Sequence, residues 1–274
     1  MPPKTDAPYR IDDAWSKAIL SVRTAAVLNF LRPHLRPGMR LIDCGCGPGS
    51  ITVDLARELA PSEVVGVDIR PEAIEEARVL AKEQGISNVT FEVGSAYALP
   101  YPDVSFDAAT ACAVLQHLDR PVDALREIRR VLKPGGVVGI VDGSCPESFR
   151  YPADPRLAAY DALRVRLRER SGRSPTALRL RTLLREAGFA RTEATAGMGT
   201  ESGMPAGTPE ETRRVAQTHV IALRGTQGEQ ALEQGLATRT ELEQMAAALT
   251  AWGEDPDAVY ARPVFFAIGW VASS

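Results

Sequence analysis

The sequence predicts a doubly wound α/β fold with seven strands, an N-terminal helical cap and a helical insertion before the last strand. Three observations carry this expectation. Residues Met39 to Ala60, MRLIDCGCGPGSITVDLARELA, read as an apolar strand, a glycine-rich break and a helix. A second apolar run, Val64 to Asp68, ends on an acid nineteen positions beyond Gly49. Short apolar runs then alternate with helical patterns as far as Val141, the signature of crossover units on a parallel sheet.

The elements follow in chain order. Residues 1 to 8 hold three prolines and no periodic pattern. Trp15, Ile19, Val22, Ala26 and Phe30 then share one helical face, predicting a helix from Asp12 to Leu31 that packs on the core or caps a ligand. In the glycine loop, Gly45, Gly47 and Gly49 remove three side chains within five positions, so a ligand can lie against bare backbone. Ser50 is placed to cap the helix, and Ile51, Leu55 and Leu59 form its buried stripe. Strands are expected at Val64 to Asp68, Val89 to Val93, Phe106 to Ala111 and Val137 to Val141. An amphipathic helix from Asp123 to Leu132 should stop at Lys133-Pro134-Gly135-Gly136. Beyond Asp142, two arginine-rich helices split near Ser171-Gly172, and Ala190 to Ala196 reads as a weak strand. Glycines and prolines from Gly197 to Pro209 mark a long connection, expected to be mobile. Helical patterns at Glu210 to Leu223 and Glu229 to Trp252 precede a last alternating strand, Val264 to Ala272.

Composition bounds the function. The chain has 274 residues, 45% apolar and 24% charged, enough to bury a full core. A formal charge of -3 gives no general attraction to nucleic acid or acidic membranes. No run approaches a membrane span and the N-terminus lacks a signal-peptide core, so a cytoplasmic protein is expected. The four cysteines, Cys44, Cys46, Cys112 and Cys145, fit neither a disulfide framework nor a zinc spacing, and no metal is expected. Thiol-dependent chemistry on a metalloid would need more cysteines to converge.

The string DCGCGPG resembles the first motif of class I S-adenosylmethionine-dependent methyltransferases. VVGVDIRPEAIEEAR, GSAYALPYPDVSFD and VLQHLDRPVDALREIRRVLKPGG resemble that family's later motifs, in its order, over 39 to 144. The likeness is to the small-molecule branch, of quinone-biosynthesis and natural-product type. A dinucleotide-binding dehydrogenase also places an acid like Asp68 at the ribose, but its G-x-G-x-x-G would need glycine where this chain has Ser50.

The resemblance implies a Rossmann-like seven-stranded mixed sheet whose last two strands are antiparallel. It implies S-adenosyl-L-methionine as cofactor and S-adenosyl-L-homocysteine as product. Cofactor-binding candidates are Asp43, Gly45, Gly47, Gly49, Asp68 for the ribose, Ile69 on the adenine, Ser95 and Ala96 beside it, and Cys112. Arg23 is a candidate clamp for the methionine carboxylate, with a solvated arginine as the alternative. Ser95 departs from the family, which usually has an acid there. His117 is the catalytic candidate, as general base or as a residue fixing the local turn. Cys145, Met198 and His219 are substrate candidates, with Met204 and Trp252 as further ones; each could instead pack the core or a dimer. The expected organisation is one methyltransferase domain, with a cap at 1-38, a cofactor core at 39-144, helices and the sixth strand at 145-196, a helical lid at 197-262 and the last strand at 263-274. The expected reaction is methyl transfer to an O, N or C atom of a small, largely apolar acceptor. A cofactor-binding cyclase and a regulatory subunit without turnover are the alternatives. Nucleic-acid and membrane partners are not expected, and a homodimer is left open.

Overall fold

The computed structural model describes residues 24–143, 147–170, 176–199 and 208–273. Two 3-10 turns, Ala25–Leu28 and Arg32–His34, lead into β1 (Leu41–Cys44), α1 (Ser50–Glu58), β2 (Val64–Asp68), α2 (Pro71–Glu83) and β3 (Val89–Val93). β4 (Phe106–Cys112), α3 (Pro121–Val131) and β5 (Leu132–Asp142) complete the first half. The second half runs β6 (Phe149–Tyr151), α4 (Pro155–Arg170), α5 (Leu180–Glu186), β7 (Arg191–Gly199), α6 (Pro209–Arg224), α7 (Thr226–Glu233), α8 (Arg239–Gly253) and β8 (Val259–Trp270).

The sheet order is β3-β2-β1-β4-β5-β8-β6, with β7 also paired to β8. β1 to β5 are mutually parallel, whereas β8 is antiparallel to β5, β6 and β7. The chain therefore winds outward in both directions from β1, and the crevice where the order reverses lies beyond the carboxyl ends of β1 and β4. Side chains alternate across the sheet and feed two layers. Ile42, Val65, Ala109 and Val138 meet Leu125 and Ile128 of α3 and Leu184 of α5 on one face. Leu41, Val64, Ala108 and Val137 meet Ile51 and Leu55 of α1 with Leu28 and Leu31 on the other.

Several sequence expectations need correction. The sheet has eight strands, not seven: Phe149–Tyr151 is too short to show an alternation, yet it pairs with Val259 to Ala261. Ser50 does not cap α1; the helix starts on it, and Gly49 precedes as the N-cap residue with φ of 83°. β5 begins at Leu132 and β8 at Val259, each five residues before its apolar run. The pattern Glu229 to Trp252 is two helices. Gly235 takes φ of 62° and ends the first. A capping box starts the second: Thr238 accepts from the Glu241 amide, and the Glu241 carboxylate accepts from the Thr238 amide at 2.7 Å. The N-terminal helix expected over Asp12 to Leu31 lies outside the described residues up to 23; beyond them the chain makes the 3-10 turn Ala25–Leu28.

The helices between β7 and β8 build their own core. Val215 and Leu223 of α6, Ala231 of α7, and Leu249 and Trp252 of α8 cluster with Tyr260 at the start of β8. α4 joins them through Leu157, Tyr160 and Leu163, so the bundle draws on sequence from both sides of β7. Among the described residues no helix is long and apolar enough to cross a membrane.

Candidate active site

The glycine loop is held by the end of β2. The Val67 carbonyl accepts from the amides of Gly45 at 2.7 Å and Cys46 at 3.1 Å. The Asp68 carboxylate accepts from the Gly47 amide at 2.9 Å and, through its other oxygen, from the Arg70 amide at 3.0 Å. Asp68 thus clasps the loop while each oxygen keeps a lone pair for a further donor. Gly45 has φ of 77° and faces the β4 loop so closely that a Cβ on it would lie 2.4 Å from a Val114 methyl. Both conditions require glycine there.

Asp43 lies beneath the loop at 2% exposure, with one oxygen accepting from the Thr52 hydroxyl of α1 at 2.6 Å. Burial pushes its carboxyl up to about 7; the Thr52 hydrogen bond opposes this and the nearby Asp68 adds to it. Burial and the Asp43 charge also push the thiols of Cys44 and Cys46 upward. Both therefore stay protonated and pack as small apolar groups instead of acting as nucleophiles.

Toward the adenine side, Ile69 follows Asp68 and is 55% exposed, an apolar surface left open beside the clasp. Ser95 and Ala96 are half-buried after β3, where the Ser95 hydroxyl accepts from the Tyr97 amide at 3.2 Å. Across the crevice, Cys112 ends β4 and Ala113 turns sharply with φ of 58°. His117 closes the 3-10 turn Leu115–His117, half-buried, with its Nε2 3.1 Å from the Gln116 side-chain amide. Glycine loop, Asp68, Cys112 and the His117 turn all stand at the carboxyl ends of β1, β2 and β4, the crevice end of the sheet.

Of the described substrate candidates, two are buried in the helical bundle and one lies on β7. His219 is 1% exposed on α6, and its Nδ1 lies 3.0 Å from Arg150 of β6. Trp252 is 4% exposed, and its Nε1 donates to the Tyr151 carbonyl at 2.9 Å. Met198 sits on β7 opposite Pro263 and is 55% exposed. Arg23, Cys145 and Met204 lie outside the described residues. Among the described residues no group of three or more His, Cys, Asp or Glu is placed to hold a metal ion.

Arg150 escaped the sequence reading. Its side chain is 4% exposed, paired with Asp161 of α4 at 3.0 Å and set 4.5 Å from the Tyr260 ring centroid and 4.9 Å from that of Trp252. It stitches β6 into the helical bundle. The arginine between Phe149 and Tyr151 was its only local signal. Thr52 and Thr110 were also missed, although a lone hydroxyl within the apolar run of β4 marks a position where a polar group is buried on purpose.

A methyltransferase-domain family model matches residues 35–173. An uncharacterized methyltransferase of Schizosaccharomyces pombe is 38% identical over 132 residues, 46% of this chain and 47% of that protein. A demethylmenaquinone methyltransferase of Listeria monocytogenes is 31% identical over 171 residues, 57% of this chain and 72% of that protein. The solved structure of the [4+2]-cyclase SpnF is 25% identical, with a TM-score of 0.55 over 91% of this chain and 81% of that one. The chain spans 43% to 47% of the length of three of the curated relatives it matches.

Proposed function

The chain belongs to the class I S-adenosylmethionine-dependent methyltransferase family, and we propose that it transfers a methyl group from S-adenosylmethionine to a small, largely apolar acceptor. The observation that carries this reading is the glycine loop clasped by Asp68 through the Gly47 amide. Its bare backbone and the carboxylate beside it suit an adenosine. In this reading Asp68 binds the ribose hydroxyls, Ile69, Ser95 and Ala96 border the adenine, and Gly45, Gly47 and Gly49 give the cofactor its close approach. Asp43, Cys112 and Arg23 attend the methionine end. The cofactor, when bound, supplies the methyl on an already activated sulfonium. The protein's task is then to align the acceptor and exclude water.

The helical bundle is the proposed source of acceptor choice. Residues 197 to 262 act as a lid, with α4 as its partner through the Arg150–Asp161 pair. Met198 and His219 affect the acceptor from this unit, His219 by shaping it from within, and Cys145 borders the pocket beyond β5. Hydrogen exchange in α6 and α8 is expected to slow when cofactor and acceptor bind together, more than with cofactor alone. Equal exchange in the free and fully loaded protein would refute the lid.

His117 is proposed to position the turn after β4, not to take a proton, because its Nε2 is engaged by the neighbouring Gln116 amide. His117→Gln should cost about 1 kcal/mol and less than tenfold in turnover, where loss of a general base costs roughly 10²- to 10⁴-fold. Transfer of labelled methyl into product measures this. A hundredfold loss together with a vanished acidic limb in the pH profile would make His117 the base.

The likeness to SpnF favours one second reading, a cofactor-binding enzyme that rearranges its substrate without methylating it. Incubation with methyl-labelled S-adenosylmethionine and a fractionated metabolite extract decides between them. Label in a small apolar compound supports transfer. Label retained in the cofactor while a compound is isomerised supports the second reading.

A further inference from the structure

Beneath the glycine loop, four neighbouring strands contribute one residue each to a single row. Gly66 of β2, Asp43 of β1, Thr110 of β4 and Gly139 of β5 are successive register partners. They stand on one face of the sheet, the face toward α1, from which Thr52 reaches Asp43. Phe91 and Cys46 cover Gly66, and Leu31 covers Gly139, each so tightly that a Cβ on either glycine would clash. The row therefore encloses a polar pair between apolar walls. Asp43 is 2% exposed and Thr110 fully buried. Asp43 Oδ1 and Thr110 Oγ1 have no hydrogen-bond partner among the described residues. Two unmatched polar atoms on register-paired residues are costly in a closed core, and each calls for a partner beyond the described side chains.

Among the described residues, the groups around Asp43 supply no cation. α1 offers the Thr52 hydroxyl. β2 ends on Asp68, which adds negative charge, and Cys44 and Cys46 are held as neutral thiols. β4 contributes Thr110 and Cys112, and the turn Ala25–Leu28 is wholly apolar. An ionised Asp43 thus faces burial and a like charge together, and its carboxyl is pushed up to about 7.

We propose that Asp43 and Thr110 form a charge-sensing floor of the cofactor site: in mildly acidic solution Asp43 is a neutral acid in the empty protein, ionises as S-adenosylmethionine arrives, and is reprotonated when S-adenosylhomocysteine remains. The inference rests on the cofactor reading above. S-adenosylmethionine carries sulfonium, ammonium and carboxylate, a net positive charge, while the product lacks the sulfonium and is neutral overall. Only the O–H bond of Asp43 breaks, and its proton passes to solvent. Because a cation favours the ionised acid, affinity for S-adenosylmethionine rises as pH increases toward about 7 and is level above it, by up to tenfold per pH unit. Affinity for the product lacks most of this dependence, so the pocket releases it more readily once the methyl is gone.

Titration calorimetry at about pH 6, where the ligands' α-amino groups are protonated, in two buffers of different ionisation enthalpy counts the protons exchanged. S-adenosylmethionine should release nearly one proton per site and S-adenosylhomocysteine far less. Asp43→Asn should abolish the release, and Thr110→Val, which keeps the shape but removes the neighbouring hydroxyl, should move its pH midpoint upward. Equal release with both ligands overturns the inference in the wild-type protein alone, whether or not the variants fold. Release that persists in a folded Asp43→Asn protein overturns it as well, and an unmoved midpoint in Thr110→Val removes Thr110 from it. Failure of both ligands to bind overturns the cofactor reading and this inference with it.

Discussion

Asp68→Ala is expected to weaken S-adenosylmethionine binding by about 1.5 to 3 kcal/mol, roughly ten- to 150-fold, the range for hydrogen bonds to a charged group. Two losses contribute. The proposed ribose hydroxyls lose their acceptor, and the Gly47 and Arg70 amides lose theirs. The second loss acts on the loop even without ligand. Asp68→Asn separates them, because an amide oxygen can still accept from Gly47 while the charge is gone. If the loop clasp dominates, Asn keeps most of the affinity; if charge-assisted ribose binding dominates, Asn behaves like Ala. Calorimetry on the folded variants measures both. Unchanged affinity in a folded Asp68→Ala protein would refute the ribose assignment.

The cofactor half of the site was legible because its signals are local. Gly45, Gly47 and Gly49 fall within five positions, and Asp68 is marked by its own strand, so strand, loop and acid could be placed from the chain alone. The detail that failed there was conformational: a left-handed Gly49 takes the N-cap position, so Ser50 falls inside the helix as its first residue. The other half is held by contacts between distant residues. Arg150 meets Asp161 eleven positions on and His219 sixty-nine positions on, and neither spacing follows from a helical or strand period. The same holds for the row across the sheet, where Asp43 stands beside Thr110 only because β1 and β4 pair in that register. A one-residue slip would turn Thr110 to the opposite face. Helix breaks were legible only after the fact, since Gly235 and the Thr238–Glu241 box are readable signals that the apolar periodicity of 229 to 252 overrode.

Gly49→Ala is expected to destabilise the protein by about 2 to 5 kcal/mol, with the cofactor site lost alongside. A left-handed backbone costs a residue with a Cβ about 1 to 2 kcal/mol, and φ at Gly49 is 83°. The added methyl would also lie 2.7 Å from the Ala77 Cβ and 3.1 Å from two atoms of the Phe91 ring. Ala77 and Phe91 are buried in the cluster that joins α1, α2 and β3, so neither can swing aside into solvent. Overpacking of this kind adds about 1 to 3 kcal/mol. Gly85 isolates the two contributions, since its φ of 67° is comparable but a Cβ there meets nothing within 4 Å. Gly85→Ala should therefore cost only the backbone share. Denaturant unfolding of the two variants gives the difference directly: a Gly49→Ala protein no less stable than Gly85→Ala would mean that α2 and β3 yield to the loop. In that case the rigid floor on which the clasp of Gly47 by Asp68 depends would have to be abandoned.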